Sequence, residues 1–522
     1  MRLPGVLYTA KLLAIVAASA KSADHVRQVA IIGAGAAGSS TAYYLRQFAE
    51  EDGVAVNITL FEKTGRIGGR ALTVNAYDDP DQRVELGASI FVEINQILWN
   101  ATEKFGLSLD PPVGEIDGVL GIWDGDRFVY TQDETSSNWW NLAKLFWKYG
   151  LAPYRANNLM QATVSKFLSL YTAPYFPFRS LSARAFELEL AQVTSQTGAQ
   201  FLEQNKIAFP FSHDIIQAST RVNYASNLDT IHGLDTMGAS QVAGGNWKIF
   251  ANFVRDSNAD FRDNTLVKSI SFASDSTNKA PKYNLKTKSS KTAETAQFEF
   301  DNVVIAAPYQ FSGIKSADSV LTLAIDEIPY VTLYVTLFTS PLLLSPEFFN
   351  LEPGTKAPST VLTTLGADES SLSDAGKAGF FSISTLRTIT NPRTERSEYL
   401  YKIFSPKKVT ASFLSELLGA EVPETFTAPA ETASVISWYY PYIFHAYPKA
   451  LPRVTFQDPI VGNGVYYTSG IESFISTMET SALSGMNVAR LIVDDIQGLA
   501  TGEAVDPAAS AAKAQGQQTE DL

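Results

Sequence analysis

Cysteine is absent from this chain of 522 residues, and its absence excludes several kinds of chemistry. Disulfides, thiolate metal sites and a cysteine nucleophile are all ruled out. Histidine is scarce as well, and the spacing of the four His residues predicts no metal site. Positive charge is also in deficit: 41 Lys and Arg stand against 54 Asp and Glu, a net charge of −13. A nucleic-acid binder needs a basic surface, so no nucleic-acid partner is expected.

Charged residues make up only 18% of the chain, whereas 45% of the residues are hydrophobic. Soluble proteins usually carry about 25% charged residues. The 7 Trp, 22 Tyr and 31 Phe provide for a large core, which excludes a wholly disordered chain. The excess of apolar residues also suits a protein that lines an apolar cavity. At about 150 residues per domain, the length predicts two or three domain-sized units.

The N-terminal segment from Met1 to Ala20 has the composition of a secretory signal peptide. Arg2 and Lys11 supply positive charge, residues 12–17 are apolar, and Ala18-Ser19-Ala20 has the small-x-small pattern of a cleavage site. An apolar first helix and a membrane anchor are the alternatives, but the run is shorter than the roughly 20 residues that span a bilayer. No later stretch is long and apolar enough to span either. The chain is therefore expected in the secretory pathway, as a secreted or a lysosomal or vacuolar protein.

Two further features concern the exported chain. Asn57 and Asn100 each begin an N-x-Thr triplet, the acceptor sequence for glycosylation in a secreted protein. Residues 503–522 are rich in Ala and Gln, and this composition predicts a disordered tail.

A strand, a glycine turn and a helix follow one another from residue 29. Residues 29–32 are apolar, a G-x-G-x-x-G motif places glycines at 33, 35 and 38, and residues 39–48 have a helical pattern. Gly33 permits the tight turn, Gly35 lets the backbone approach a pyrophosphate, and Gly38 lets helix and strand pack closely. The helix N-terminus would then receive the phosphates. An ordinary glycine turn is the alternative. However, a second strand over residues 55–61 ends in Glu62, a carboxylate placed to accept hydrogen bonds from ribose hydroxyls.

The residues after Glu62 narrow the choice of nucleotide. Gly68, Gly69 and Arg70 end a segment that resembles the E-x-x-x-x-x-G-G-R sequence of the FAD-dependent amine oxidase superfamily. The segment Glu85-Leu86-Gly87-Ala88 is similar to the superfamily's D/E-x-G segment. The resemblance implies that FAD is the cofactor, that the paired glycines approach it and that the arginine supports its phosphates and ribityl chain. It also implies that Gly87 lies against the flavin. A cysteinyl link to FAD is excluded, since the chain has no cysteine.

Later segments extend the same resemblance. An alternating strand over residues 264–270 carries Val267, whose backbone the resemblance places on the adenine. Residues 300–308 resemble a strand that re-enters the FAD domain, although an ordinary buried strand would look the same. Residues 466–472, with Gly470 and Glu472, predict a last strand and turn. A helix that opens at residue 476, with Met478 in its first turn, resembles the superfamily's final flavin contact. The apolar stripe of this helix is core packing.

These segments predict an α/β fold. We expect a Rossmann-like FAD-binding domain assembled from residues 26–107, 241–309 and 456–500. An inserted α+β substrate-binding domain is expected from residues 108–240 and 310–455.

The intervening segments resemble the prenylcysteine oxidase, or prenylcysteine lyase, family. The matching segments lie at residues 177–181, 217–224, 227–232, 244–246, 438–448 and 478–482. With the cofactor motifs, the resemblance covers about nine-tenths of the chain. It implies oxidative cleavage of the thioether of farnesyl- or geranylgeranylcysteine with oxygen and water. The products would be cysteine, a prenyl aldehyde and hydrogen peroxide, formed by hydride transfer to FAD. The predicted partners are therefore an isoprenoid thioether and oxygen.

Specific substrate residues are harder to assign. Arg221 is our candidate for binding the substrate carboxylate in a bidentate pair, and a structural ion pair with Asp229 or another acid is the alternative. Tyr224 is a possible polar neighbour, and His232 could assist proton transfer or be a structural histidine. His445 is equally unassigned. The candidates for an apolar tunnel around the isoprenoid tail, which could equally be core residues, are Phe167, Tyr171, Tyr175, Phe176 and Phe178.

Two other functions remain open on the sequence alone. A changed substrate domain on the same cofactor frame would give a flavin oxidase or desaturase that acts on another isoprenoid or an amine. A non-catalytic lipid-binding protein would require a damaged cofactor site, but the glycines, Glu62 and Arg70 are intact. Neither the preferred prenyl length nor the oligomeric state follows from the sequence.

Overall fold

A computed structural model describes most of the chain. The described residues are 26–110, 118–133, 138–234, 241–242, 244–274, 276, 281–317, 319–370, 372, 374–425 and 434–499. The predicted signal peptide and the predicted tail lie outside these residues. Asn57 and Asn100 are both exposed.

The strands and helices are numbered in chain order. The strands are β1 Arg27–Ile32, β2 Val56–Phe61, β3 Leu72–Asn75, β4 Arg83–Gly87, β5 Leu109–Asp110, β6 Val119–Trp123, β7 Phe128–Asp133, β8 Gln241–Val242, β9 Asp260–Arg262, β10 Thr265–Phe272, β11 Tyr283–Ser289, β12 Thr295–Phe300, β13 Asn302–Ile305, β14 Lys315–Ser316, β15 Tyr330–Ser340, β16 Thr360–Thr363, β17 Ser382–Thr390, β18 Ser397–Ser405, β19 Trp438–Pro448, β20 Ile460–Gly462 and β21 Val465–Tyr467. The α-helices are α1 Ala36–Glu51, α2 Gln96–Lys104, α3 Asn138–Tyr149, α4 Ala152–Leu168, α5 Leu181–Glu187, α6 Ala191–Thr194, α7 Gly198–Gln204, α8 Gln217–Tyr224, α9 Trp247–Asp256, α10 Tyr309–Ser312, α11 Ala411–Leu418 and α12 Met478–Gln497. Short 3-10 turns span Ala76–Asp78, Ser169–Tyr171, Glu347–Phe349, Gly376–Ala378 and Ser469–Ser473, and a π turn spans Ser212–Ile216.

A six-stranded sheet gathers strands from distant parts of the chain in the order β20-β21-β13-β1-β2-β9. All neighbours in this sheet are parallel except β20 and β21. The apolar run of β1 suits the sheet centre, since a parallel strand covered on both faces is apolar throughout. This is the Rossmann-like α/β architecture that the sequence predicted.

Helices α1 and α12 cover one face of this sheet. Their apolar stripes, including Leu45 and Ile492, are fully buried against β1 residues such as Ile31. At the crossing of the two helices, a Cβ at Gly485 would lie 2.2 Å from the carbonyl oxygen of Ala37. A small residue at this point therefore lets the two backbones approach.

A four-stranded sheet, β12-β11-β10-β14, packs on the opposite face of the six-stranded sheet. Its core residues include Val267 and Ile270 of β10, which lie against Ala30 and Phe61. Residues 260–305 thus run from the first sheet into the second and back again.

A seven-stranded sheet, β19-β15-β18-β17-β16-β6-β7, forms the other large layer. It joins residues 119–133 with residues 330–448, and its pairs are antiparallel except for β16 and β6. These are the chain regions predicted for the inserted domain, while the domain boundaries themselves stay a prediction.

Helices α3 and α7 and the first half of α4 pack around a small core of their own. Tyr149, Leu202, Ile207 and Phe211 are its buried centre. Within the described ranges, no helix combines the length and the apolar character needed to cross a membrane.

Several element bounds differ from the predicted ones. The helix expected over residues 39–48 spans Ala36–Glu51 and is longer at both ends. At its N-terminus it begins within the glycine motif. The strand expected over residues 264–270 is observed as β10, Thr265–Phe272. Residue 264 is outside it, because its backbone is left-handed with a φ of 50°. The last helix begins at Met478 rather than residue 476, because the Thr477 side chain caps it.

Candidate active site

The glycine motif and the Gly68-Gly69 pair meet at the end of β1. The Gly68 N–H donates to the carbonyl oxygen of Ala34 at 2.8 Å, which joins the two turns. A Cβ at Gly38 would lie 1.8 Å from the Gly33 carbonyl oxygen, so only glycine allows this helix start to pack on its turn. A Cβ at Gly35 would meet only the Gly69 Cα, at 3.7 Å. The two turns therefore leave open space above Gly35, where a phosphate group could approach the backbone.

Glu62 binds the same turn from the end of β2. One carboxylate oxygen accepts a hydrogen bond from the Ala34 N–H at 3.0 Å, and the other accepts from the Thr64 N–H at 2.8 Å and hydroxyl at 2.7 Å. The Thr265 N–H also donates to the Glu62 carbonyl oxygen at 2.8 Å. This bond brings the start of β10, just before the buried Val267, next to Glu62.

Arg70 and Glu472 form an ion pair of 2.7 Å across the site. Arg70 also donates to the Ala446 carbonyl oxygen at 2.8 Å, and the Tyr330 hydroxyl donates to Glu472 at 3.0 Å. Burial alone would lower the pKa of Arg70, but the Glu472 carboxylate raises it above its ordinary value. Burial and Glu472 together raise the pKa of Tyr330 far above its ordinary value. The group therefore holds a permanent guanidinium charge at the edge of the site.

Gly470 and Glu472 lie in the 3-10 turn of residues 469–473, directly after β21. A Cβ at Gly470 would lie 2.6 Å from the Gln457 carbonyl oxygen, so the turn packs closely on the preceding loop. Met478 is the first residue of α12 and packs against the core cluster that includes Phe474. The structure thus joins the predicted cofactor residues of four separate segments through hydrogen bonds and an ion pair.

Glu479, next to Met478, fastens α12 to α2. Its carboxylate accepts hydrogen bonds from the N–H groups of Ile97 and Leu98 at 2.9 and 3.0 Å and from the Tyr171 hydroxyl at 2.7 Å. It therefore caps the N-terminus of α2 from a distant part of the chain. Burial raises the pKa of Glu479 to about 7, although the hydrogen bonds oppose this rise.

The segment from Glu85 to Ser89 is held between two elements. The Lys402 ammonium group donates to the Glu85 carbonyl oxygen and to the Ser89 hydroxyl, each at 2.9 Å. From the other side, Asn246 donates its N–H to the Glu85 carboxylate at 2.7 Å and its side-chain amide to the Ala88 carbonyl oxygen at 2.8 Å. A Cβ at Gly87 would lie 3.0 Å from the Phe444 ring. Burial raises the pKa of Glu85 and lowers that of Lys402.

The residues of this site fit a dinucleotide with a pyrophosphate. Several buried side-chain polar atoms lack a hydrogen-bond partner among the described residues, and three of them belong to segments of this site: Arg66 Nη1, Thr468 Oγ1 and Glu85 Oε2. Arg66 lies two residues before the Gly68-Gly69 pair and Thr468 lies two residues before Gly470, so both belong to segments that carry predicted cofactor residues. Buried polar atoms are normally satisfied, and a bound polar ligand would supply partners.

Arg221 is fully buried, and its hydrogen bonds go to residues other than these. Its guanidinium donates to the Thr363 hydroxyl at 3.1 Å and to the Asn227 side-chain oxygen at 2.8 Å. It also donates to the carbonyl oxygens of Asp374 and Ala375 at 3.2 and 2.9 Å. Burial lowers its pKa to about 10. These contacts favour the structural alternative over a substrate contact, although the acceptors are neutral and Asp229 is not among them.

Tyr224 and His232 each contact a neighbour of a cofactor-binding candidate. The Tyr224 ring packs edge-on against Tyr447 at 5.5 Å, and Tyr447 follows the acceptor of Arg70. The His232 Nε2 donates to the Ser473 carbonyl oxygen at 3.3 Å, and its Nδ1 accepts from the Leu234 N–H at 3.4 Å. Burial lowers the pKa of His232 to about 4, so this side chain is neutral near pH 7.

The other candidates have less specific surroundings. His445 is exposed on β19 and stacks on Phe311 at 4.5 Å. The five proposed tunnel residues pack in or against one core cluster, with Phe178 at its buried centre. Their placement favours core packing, and the Tyr171 hydroxyl is engaged by Glu479.

Four residues of the site were missed in the sequence: Arg66, Tyr330, Lys402 and Tyr447. Lys402 had a usable signal, because Leu400, Lys402 and Phe404 alternate along β18 and a strand places such residues on one face. A lysine on an apolar face is unusual and indicates a buried partner. Burial raises the pKa of Tyr447 to about 12, but nothing in its local sequence indicates this environment.

Comparisons with known proteins identify the family and the fold. Residues 132–505 match the family model described as prenylcysteine lyase, and residues 31–105 match a model described as an NAD(P)-binding Rossmann-like domain. The chain is 28% identical over 492 residues to farnesylcysteine lyase of Arabidopsis thaliana, covering 90% of this chain and 89% of that protein. It is 27% identical over 490 residues to prenylcysteine oxidase 1 of Homo sapiens, covering 89% and 88%.

Solved structures show the same fold at lower identity. Cyclohexylamine oxidase from Brevibacterium oxydans superposes with a TM-score of 0.54 at 16% identity, covering 91% of this chain and 100% of that one. Putrescine oxidase bound to putrescine gives a TM-score of 0.51 at 14% identity, covering 90% and 99%. These likenesses concern the fold. The family match, which spans most of the chain, shows that the protein belongs to the prenylcysteine lyase family.

Proposed function

We propose that this chain is an FAD-dependent oxidase that cleaves the thioether bond of farnesyl- or geranylgeranylcysteine. One molecule each of prenylcysteine, oxygen and water would give cysteine, a prenyl aldehyde and hydrogen peroxide. The relatives named farnesylcysteine lyase and prenylcysteine oxidase support the substrate class. The observation that carries the proposal is the intact glycine cradle beside Glu62 and Arg70 in a chain of this family.

The cofactor-binding residues of this proposal are those that the sequence indicated. They are Gly33, Gly35, Gly38, Glu62, Gly68, Gly69, Arg70, Gly87, Val267, Gly470, Glu472 and Met478. Bound FAD would take up the hydride lost by the substrate and return the electrons to oxygen. We add Arg66 to this set. Its buried Nη1 atom has no hydrogen-bond partner among the described residues, and a bound cofactor could supply one.

The protein's own contribution would be orientation, shielding and charge. The Arg70–Glu472 pair is neutral as a whole, and it fixes the Arg70 guanidinium N–H donors beside the cradle. Tyr447 and Tyr224 form an aromatic contact beside it, and burial raises the pKa of Tyr447 to about 12, so the Tyr447 hydroxyl stays protonated at neutral pH. Aromatic walls exclude water and suit an isoprenoid chain. The neutral His232 lies behind the turn of Glu472 and orients this turn through Ser473.

Anaerobic addition of farnesylcysteine to the purified flavoprotein tests the reaction. We expect bleaching of the flavin absorbance, followed in air by equal amounts of peroxide, free thiol and prenyl aldehyde. Farnesol, which lacks the thioether and the amino acid, is the matched control. A flavoprotein that is bleached by other isoprenoids or by amines but not by prenylcysteines would contradict the proposed substrate class. Protein without flavin absorbance would contradict the oxidase itself.

We further propose that the chain enters the secretory pathway and reaches the exterior, a lysosome or a vacuole. The basic and apolar residues before Ala18-Ser19-Ala20 support this location. N-terminal sequencing of protein from its native host should find a mature start near Lys21. Recovery of a chain that still begins at Met1 would contradict this location.

A further inference from the structure

The exposed end of the α3–α4 hairpin carries large apolar side chains. Trp147, Leu151 and Tyr154 are 93, 60 and 58% exposed. Phe209, on the neighbouring turn, is 70% exposed. Arg155 of α4 donates to the Lys206 carbonyl oxygen at 3.1 Å and so joins the hairpin to that turn. We call these four apolar residues the Trp147 patch. Large apolar groups gathered in this way mark an interaction surface.

The hairpin also has an inner face that packs on the protein, so the exposure of the patch does not result from loose packing. Leu145 and Tyr149 of α3 turn toward the small core around Ile207 and Phe211. Trp147 lies midway between Leu145 and Tyr149 in sequence, and the helical period of 3.6 residues puts it on the opposite side. In α4 no residue is buried, although helices of this length normally bury a stripe. The turn end of the hairpin is thus exposed and apolar at Trp147, Leu151 and Tyr154, whereas the exposed residues farther along α4 are mostly polar.

Charge near the patch has the opposite sign from the chain as a whole. Residues 138–186 contain six Lys or Arg and no Asp or Glu, whereas the whole chain carries a net charge of −13. Lys144, Arg155 and Lys206 are exposed at the hairpin and form no ion pair with a described carboxylate. Lys148 pairs with Asp214 at 3.0 Å. Glu203 is the exposed acid closest in sequence to Lys206. The surroundings of the patch are therefore basic.

Together these features fit one kind of partner. Trp and Tyr are the residues that prefer the boundary between lipid and water. Exposed apolar side chains bordered by Lys and Arg bind at the surface of a bilayer with anionic lipids. We propose that the Trp147 patch docks this protein on the surface of an anionic lipid bilayer, without a spanning helix.

Helix α4 connects the patch to the region of the predicted cofactor site. Helix α4 runs from the patch to Phe167, about 20 Å along its axis at 1.5 Å per residue. Phe167 packs against the core cluster that contains Phe474 and Ile471, beside the Glu472 turn. An amphiphilic substrate that dissolves in the bilayer would therefore be held near the cofactor side of the molecule. The docking proposal concerns binding alone and stands independently of the reaction proposed above.

Vesicle co-sedimentation tests the proposal with the full-length flavoprotein. Vesicles of phosphatidylcholine with about one quarter phosphatidylglycerol should bind the protein, and pure phosphatidylcholine should bind it about tenfold more weakly. The double variant Trp147→Ala/Tyr154→Ala should lose about tenfold in binding, since it removes two interfacial anchors. Lys144→Glu/Arg155→Glu should lose the preference for phosphatidylglycerol. Leu372→Ala, which removes a side chain that is 80% exposed elsewhere, is the matched control and should bind as the parent does.

Two measurements keep the outcomes distinct. Flavin content and thermal unfolding must be unchanged in every variant that is compared, so that lost binding is not lost folding. Absence of vesicle binding by the parent, or equal binding by parent and Trp147→Ala/Tyr154→Ala, would overturn the proposal. So would a concentration-dependent dimer in sedimentation equilibrium that this double variant abolishes, because the patch would then join two copies. Peroxide production from farnesylcysteine in detergent is measured separately, and its loss would bear on the reaction and not on docking.

Discussion

The ammonium nitrogen of Lys402 lies 2.9 Å from the carbonyl oxygen of Glu85. This contact joins the middle of the seven-stranded sheet to the segment that carries Gly87. Because Lys402 also binds the Ser89 hydroxyl, both ends of the segment from Glu85 to Ser89 are fixed by one side chain. The sheet that is predicted to bind substrate therefore positions part of the predicted cofactor site.

Replacing Lys402 by methionine should lower the free energy of unfolding, because the contact between the two layers is lost. Lys402→Met removes two hydrogen bonds and leaves the Glu85 carboxylate buried without a nearby cation. A loss of about 2–4 kcal/mol in the free energy of unfolding is expected. Adding Glu85→Gln should recover part of this loss, since it removes the uncompensated charge. Denaturant unfolding measures the effect, and Lys408→Met, at an exposed lysine, is the control. If Lys402→Met had the same free energy of unfolding as the parent, the contact would not stabilise the fold.

Two glycines of one motif should fail in different ways. A methyl group at Gly38 would collide with the Gly33 carbonyl oxygen, so Gly38→Ala should yield little folded protein. At Gly35 a methyl group meets only Gly69 at ordinary contact distance. Gly35→Ala should therefore fold but bind FAD about tenfold or more weakly, because the methyl group occupies the phosphate approach. Thermal unfolding of the apoprotein and FAD titration separate the two effects. Full FAD affinity in Gly35→Ala would place the phosphates elsewhere.

Arg221 should matter for stability more than for substrate selection. Arg221→Met would remove the guanidinium hydrogen bonds to Thr363, to Asn227 and to two backbone carbonyl oxygens, at a cost of about 2–4 kcal/mol. The ratio of kcat/KM between farnesylcysteine and an analogue with a neutral head should stay unchanged. Arg127→Met, at a side chain that is 82% exposed, should alter neither quantity. A selective loss on farnesylcysteine would restore Arg221 as the carboxylate ligand.

The buried Glu479 should make the fold more stable in mild acid. Its pKa is raised from 4.5 to about 7, so the folded state takes up a proton that the unfolded state releases above pH 4.5. This contribution is complete below pH 4.5 and is lost as the pH rises through about 7. From pH 5 to pH 8, the free energy of unfolding of the parent should fall by about 2–3 kcal/mol relative to that of Glu479→Gln, which has no carboxyl group at this position. Guanidinium unfolding of both proteins at several pH values measures the difference. A difference that does not vary with pH would mean that Glu479 is ionised throughout.

The cofactor half of the fold could be predicted because its signals are local. Gly33 to Gly38, Glu62 and Gly68 to Arg70 follow one another closely in the chain, and each motif expresses a steric or charge requirement of one turn. The contacts of Arg221 could not be predicted, since its partners at Thr363, Asp374 and Ala375 come from a distant part of the sequence. The same holds for Glu479, whose motif was noticed but whose partners lie on α2. Sequence patterns identify such residues, and only the packing of distant elements decides what they bind.

The strand order of the six-stranded sheet governs when the protein can fold during synthesis. Strand β1 pairs with β2, which follows it closely, but its other neighbour is β13, in the second half of the chain. Strand β21, which pairs with β13, comes later still. Until the ribosome has released Val465 to Tyr467, one edge of the sheet has no strand to pair with. Exposed sheet edges promote association between chains. The segment from β21 onward is therefore the closing step of folding during translation, and chains that stop before it should depend on chaperones to stay unaggregated.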